Sequence, residues 1–123
     1  MINNINKCVA VEVMGWHWGV PAIGSAQNSY PHEGWYDENN NFIIRDNFNP
    51  TTSWNDAGLI IERMRELGWQ IAIFQDNPRY KEGWTVHFEL EDENEDQIGW
   101  SEAIADTAPL AICLASLKAM EGE

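Results

Sequence analysis

The stretch spanning 103–120, Ala-Ile-Ala-Asp-Thr-Ala-Pro-Leu-Ala-Ile-Cys-Leu-Ala-Ser-Leu-Lys-Ala-Met, is the one that every other part of this chain has to pack against. It reads as a helix that starts beside Thr107, whose hydroxyl is placed to cap the first turn. Asp106 adds negative charge where the free amides point, and Pro109 falls inside the first turn, where a missing N–H costs nothing. Leu110, Cys113, Leu114, Leu117 and Met120 recur at spacings of three and four and so share a face that needs a partner surface. Ala108, Ala111, Ala115, Ser116 and Ala119 cover much of the remainder and let the helix lie close to a sheet or to another helix. None of these side chains does chemistry, so the stretch constrains the fold rather than the function.

Upstream, Ile5, Cys8, Val9, Val13 and Met14 give a helical repeat over 3–14, with Asn3 or Asn4 as the cap and Gly15 as the stop. Residues 16–31 are rich in Gly, Pro and Ser without a period and read as a long ordered loop. Gly34-Trp35-Tyr36 and Phe42-Ile43-Ile44-Arg45 flank the polar run 37–41 as a hairpin. A second helix is expected after Ser53, with Ser53 and Asp56 approximating a capping box. Its buried stripe is Trp54, Ala57, Ile60, Ile61, Met64 and Leu67, and Gly68 ends it. Strands follow at 69–74, 84–90 and 98–105, the first two joined by a basic turn and the last two by an acidic one. The order predicts an α+β fold, a mostly antiparallel sheet with about three helices packed on it, in a single domain over 1–123. Periodicity leaves open whether the helices share one face of the sheet or sandwich it.

No apolar run approaches the roughly 20 residues that a membrane helix requires, and the opening residues have neither the charged region nor the apolar core of a signal peptide. A cytoplasmic protein is expected, with Cys8 and Cys113 as free thiols on apolar faces. The net charge of −13 argues against nucleic-acid binding. That charge is uneven, because Glu89, Glu91, Asp92, Glu93, Glu95 and Asp96 place six acids in eight positions. They read either as a solvated hairpin rim or as an acidic face for a basic protein partner.

Three stretches, Val-Ala-Val-Glu-Val-Met-Gly-Trp over 9–16, Phe-Asn-Pro-Thr-Thr over 48–52 and Ala-Asp-Thr-Ala-Pro-Leu-Ala-Ile-Cys-Leu-Ala-Ser-Leu-Lys-Ala over 105–119, together resemble the phage ABA-sandwich domain family. These are small proteins encoded by bacteriophages and prophages. The resemblance implies a helix, sheet, helix sandwich and a phage accessory role in the host bacterial cytoplasm, and it carries no catalytic residues to transfer.

His17, His32 and His87 with Glu33 fit no zinc spacing, and neither a G-x-S-x-G elbow nor a phosphate-cradling Gly loop is present. Neither an enzyme nor a cofactor is expected. Trp54, Trp69 and Trp84 fit the core by position, whereas Trp16, Trp18, Tyr30, Trp35 and Tyr36 crowd a loop and hairpin where less core is available. Those five rings are candidates to stack on a base or to anchor a protein contact. Arg45 and Arg79, with Lys81, are candidates to hold an anionic group, although a solvated turn is the simpler reading of Arg79 and Lys81.

Three functions are therefore carried forward. The first is sequestration of a small nucleotide-derived signal of bacterial antiphage immunity. The second is inhibition of a basic, nucleic-acid-binding host defence protein by the acidic face, as some anti-CRISPR proteins do. The third is a structural or regulatory phage role in which acidity only confers solubility. A homodimer is the default expectation if the Trp-rich loop is exposed.

Overall fold

The computed structural model describes residues 2–19, 34–39, 41–44, 47–75 and 83–121. Tyr30, His32, Glu33, Arg45, Arg79 and Lys81 lie outside the described residues.

Helix α1 (Ile2–Cys8) runs directly into a π-helical turn over Val9–Val13. The wider turn brings Val9, Ala10 and Val13 inward, and the Met14 amide donates to the Val9 carbonyl at 3.0 Å. Gly15, at φ 73°, takes the left-handed conformation that ends the segment, and the Trp16 amide reaches back to the Ala10 carbonyl at 2.9 Å. Strands β1 (His17–Gly19), β2 (Gly34–Tyr36) and β3 (Phe42–Ile44) form a small antiparallel sheet in that order. The stretch beginning at Trp16 is thus not all loop. β1 has no period of its own and exists because Trp18 registers against Trp35 across the chain.

Helix α2 (Trp54–Glu66) starts as its sequence predicts. The Ser53 hydroxyl accepts from the Asp56 amide at 3.2 Å. The reciprocal half of the capping box goes elsewhere, since Asp56 Oδ2 accepts from the Asn49 amide at 2.8 Å. Ala57, Ile60 and Met64 are buried, but Trp54 and Leu67 stand at the exposed ends of the predicted stripe. Arg63 crosses to the first helix and donates through Nε to the Val13 carbonyl at 3.2 Å.

Strands β4 (Trp69–Gln75), β5 (Trp84–Glu91) and β6 (Gln97–Ala105) make the larger antiparallel sheet, with helix α3 (Ala108–Glu121) returning across it. Register decides which residues share a face. Trp69 opposes Leu90 and Gly99, Ile71 opposes Phe88 and Ser101, and Ile73 opposes Val86 and Ala103. This face carries the buried Trp69, Val86, Phe88, Ser101 and Ala103. Among the described residues the helices all pack on this one side, α3 over β5 and β6 and α2 against β4 and α3. The α+β expectation holds, and the question periodicity left open resolves to one face of the longer sheet.

The buried side of α3 corrects the expectation for that helix. Ala108, Ala111, Ile112, Cys113, Ala115, Ser116 and Ala119 are buried, while Leu110, Leu114, Leu117 and Met120 are only partly so. The small residues face the sheet because they allow the closest approach. The Ser101 hydroxyl on β6 donates to the Ala115 carbonyl of α3 at 2.8 Å, a contact that no large side chain between the two elements would permit.

Enlarging that face is therefore expected to cost more than trimming the leucine row. Ala115→Leu should destabilise by about 1–3 kcal/mol through overpacking, with Leu114→Ala the milder of the pair, both read from the shift of a urea unfolding midpoint. Ser53→Ala should cost about 1 kcal/mol by the same measurement.

Candidate binding surfaces

The aromatic set divides differently from its sequence positions. Trp16 and Trp35 belong to the hydrophobic core: Trp16 packs on the buried Phe48 with ring centroids 4.7 Å apart, and Trp35 is 2% exposed. The hairpin turns Trp35 inward, and Gly34 beside it allows the close approach, since a Cβ there would strike the Ile43 carbonyl oxygen. Trp35 is consequently not available as a ligand platform, and Trp16 reaches the surface only in the lining of the adjoining cleft. Trp18 remains half-exposed, edge-on to Trp35 at 4.5 Å, with Lys7 Nζ 5.0 Å from its ring centroid. Tyr36 is partly buried against Phe42 at 5.2 Å. Conversely, Trp54 is 56% exposed, held edge-on to Trp84 at 6.0 Å, and only Trp69 of the three expected core tryptophans is fully inside.

Next to Trp16, between the β2–β3 turn and α2, lies a cleft of about 270 Å³ edged by Asp37, Glu38, Glu62, Arg63 and Glu66. Its one guanidinium is already engaged, through Nε with Val13 and through Nη1 with Glu66 at 3.8 Å. Four carboxylates around one occupied cation make a poor seat for phosphate.

The acidic residues after β5 form a built turn. Asp92 accepts at Oδ1 from the amides of Asn94 and Asp96, at 2.8 and 3.0 Å, and its own amide donates to the Asp96 carbonyl. Glu95 sits at φ 64°, and the strand pairing shifts register at Leu90 and Glu91. With Asp92 spent on holding the turn, Glu91, Glu93, Glu95 and Asp96 project into solvent. Glu89 points elsewhere, lying half-buried on the sheet opposite Gln70 and Trp100.

That second sheet face is a surface that residue patterning did not bring out. Phe74 on β4, His87 on β5 and Trp100 on β6 run diagonally across it, with ring centroids 5.4 and 6.4 Å apart. Ile98 and Ile104 flank them, and His87 Nδ1 lies 3.9 Å from Glu102 Oε2. The signal was present in β6, where Gly99, Ser101, Ala103 and Ala105 alternate with Ile98, Trp100, Glu102 and Ile104. An ordinary strand would bury the large set; here the small set meets the small face of α3, so the large set is turned out.

Among the described residues no group of three or more His, Cys, Asp or Glu side chains is arranged to hold a metal ion, and no helix is long and apolar enough to cross a membrane. The two cysteines are free and unlike: Cys8 is exposed on α1, not on an apolar face as expected, while burial pushes the Cys113 thiol from 9.0 up to about 12.

Titration of the native protein with a thiol reagent at neutral pH should count one fast thiol, Cys8, and a second only after denaturation. A thiol that ionises near 9.0 when unfolded but only near 12 when folded favours the unfolded chain at high pH. Its contribution should be complete below pH about 9 and fall between there and about 12, as followed by unfolding midpoints across that range. For the aromatic set, Trp35→Ala should cost about 3–5 kcal/mol, whereas Trp18→Ala should leave the unfolding midpoint far less changed.

No curated protein and no solved structure matches the chain significantly. The model of the phage ABA sandwich domain matches it over residues 7–117 of the 123. That span takes in the end of α1, the π-helical turn, both sheets, α2 and most of α3, including the Phe-Asn-Pro-Thr-Thr turn before α2. The chain therefore belongs to the phage ABA sandwich domain family.

Proposed function

We propose that this phage-family protein works by binding rather than by catalysis, and that it binds a basic surface of a host protein through the turn between β5 and β6. One observation carries the reading: Glu91, Glu93, Glu95 and Asp96 are exposed on a turn whose shape is held by Asp92, in a chain of net charge −13. A rigid cluster of carboxylates pays less to be ordered on contact than a floppy acidic tail. Its field also attracts cationic surfaces at low ionic strength. A nucleic-acid-binding groove on a host defence protein has the complementary chemistry, which makes counter-defence the role this reading favours.

The test is affinity capture from a bacterial lysate with the intact chain and with Glu93→Lys/Glu95→Lys, the captured protein being identified by mass spectrometry. The expected result is a basic protein that elutes as salt is raised beyond about 0.1 M, where screening reaches about 10 Å, and that the double variant fails to retain. Capture that survives both high salt and charge reversal would remove the acidic turn from consideration.

A second reading keeps the sequestration of a small nucleotide-derived immune signal. What supports it is the half-exposed Trp18 with the Lys7 ammonium over its ring, an arrangement suited to stacking a base beside an anion. Titration calorimetry of cyclic nucleotides and ADP-ribose isomers against the protein and against Trp18→Ala should give heat that the variant loses; no heat from any of them ends this reading.

A further inference from the structure

We propose that a second copy of this chain covers the open face of the β4–β6 sheet, making the protein a homodimer through stacked sheets. Phe74, Trp100, Ile98 and Ile104 are 51, 51, 56 and 60% exposed on that face. Together they present on the order of 400 Å² of side chain, a patch as large as the greatest usually left bare on a monomer, about 300–600 Å². It is also the right size for the apolar centre of a homodimer, in which about 65% of roughly 800 Å² per partner is apolar. Ala72, Thr85 and Gln70, with His87, Glu89 and Glu102, occupy the remaining positions of the same face.

The pattern on the face fits a copy of itself. Strand register gives three rows: Phe74, Thr85 and Ile104; Ala72, His87 and Glu102; Gln70, Glu89 and Trp100. The middle row holds both a potential donor, His87, and an acceptor, Glu102, 3.9 Å apart. Apolar groups lie at both ends, with Ile98 beyond Trp100. A two-fold axis along the His87 row, in the plane between two such faces, exchanges the ends and sets Ile104 of one copy against Trp100 of the partner subunit. This is the self-matching that an isologous contact needs, and sheets stacked about 10 Å apart accommodate side chains of this size. Of the chain's 20 acids, Glu89 and Glu102 are the only two in these rows. The axis sets Glu102 against Glu102 of the partner subunit, each beside a His87, so that pair is the like-charge contact inside the interface; the remaining repulsion comes from outside it, where salt screens it. The proposal goes beyond the acidic-turn reading; a dimer would present two such turns at once.

Sedimentation velocity of the intact chain over a concentration series, at low and at high salt, tests it. The expected result is a species of twice the 14.1 kDa monomer mass whose dissociation constant falls as salt rises, the opposite of the salt response expected for a basic partner. Trp100→Lys and Ile104→Lys should each weaken the dimer by at least about tenfold, with far-UV circular dichroism and unfolding midpoints reporting that both variants still fold. Glu93→Lys/Glu95→Lys should leave it intact. A monomer at every concentration and salt, or a dimer indifferent to both Trp100→Lys and Ile104→Lys, overturns the proposal and leaves the acidic turn untouched, since a monomer can still bring that turn to a partner.

Discussion

The contact between the small-residue face of α3 and the small-residue face of β6 is the constraint on which the rest of this structure depends. Ser101 donates to the Ala115 carbonyl, the neighbouring Ser116 hydroxyl donates within its own helix to the Cys113 carbonyl, and Ala111, Ala115 and Ala119 are closed off from solvent. Backbone approach of this kind draws on dispersion and close packing more than on the burial of any one large side chain. It also satisfies a buried hydroxyl that would otherwise carry a desolvation cost. With α3 seated so near the strands and supplying Ile112 as its one large fully buried side chain, most of the large core residues come from elsewhere: Val86 and Phe88 from β5, Ile60 and Met64 from α2, and Val9 and Val13 from the π-helical turn.

That seating explains both faces of the sheet. Because β6 turns its glycine, serine and alanines inward, with Ser101 and Ala103 buried, alternation forces Ile98, Trp100 and Ile104 to the other side, where Phe74 and His87 join them. The interior contact and the exposed apolar face are two results of one register. The acidic turn continues the same hairpin, with the bulge at Leu90 and Glu91 and the carboxylate of Asp92 setting the direction in which Glu93 and Glu95 project. Scaffold and candidate surfaces thus share a single β5–β6 element, with α3 on its back.

Local chemistry was legible where the determining groups are close in sequence. Ser53 caps α2, Gly68 closes it at φ 99°, Gly15 stops the first helical segment and the alternation of β5 is as written. What could not be read was which of two chemically plausible sets faces the core. Trp16 and Trp35 look like loop and hairpin aromatics, yet they pack inside because the small sheet folds onto the helical layer; Trp54 sits at the right spacing for a buried stripe, yet at the end of α2 there is too little cover above it. Strand β1 was invisible because three residues have no measurable period and owe their conformation to β2.

By itself, then, the sequence determined the order of the elements apart from β1, both ends of α2, the Gly15 stop, the antiparallel run of strands, the strong negative charge and the family motifs at 9–16, 48–52 and 105–119, while α1 starts at Ile2, ahead of the Asn3 and Asn4 expected to cap it. Those features depend on backbone preference, capping and patterning over a few residues, which act before any distant contact forms. Only the tertiary structure decided that all three helices lie on one face, that α3 buries its alanines rather than its leucines, and that a row of three rings is left on an open sheet. The physical reason is that period alone says which residues share a face, while the choice of the face that turns inward belongs to the surface it meets.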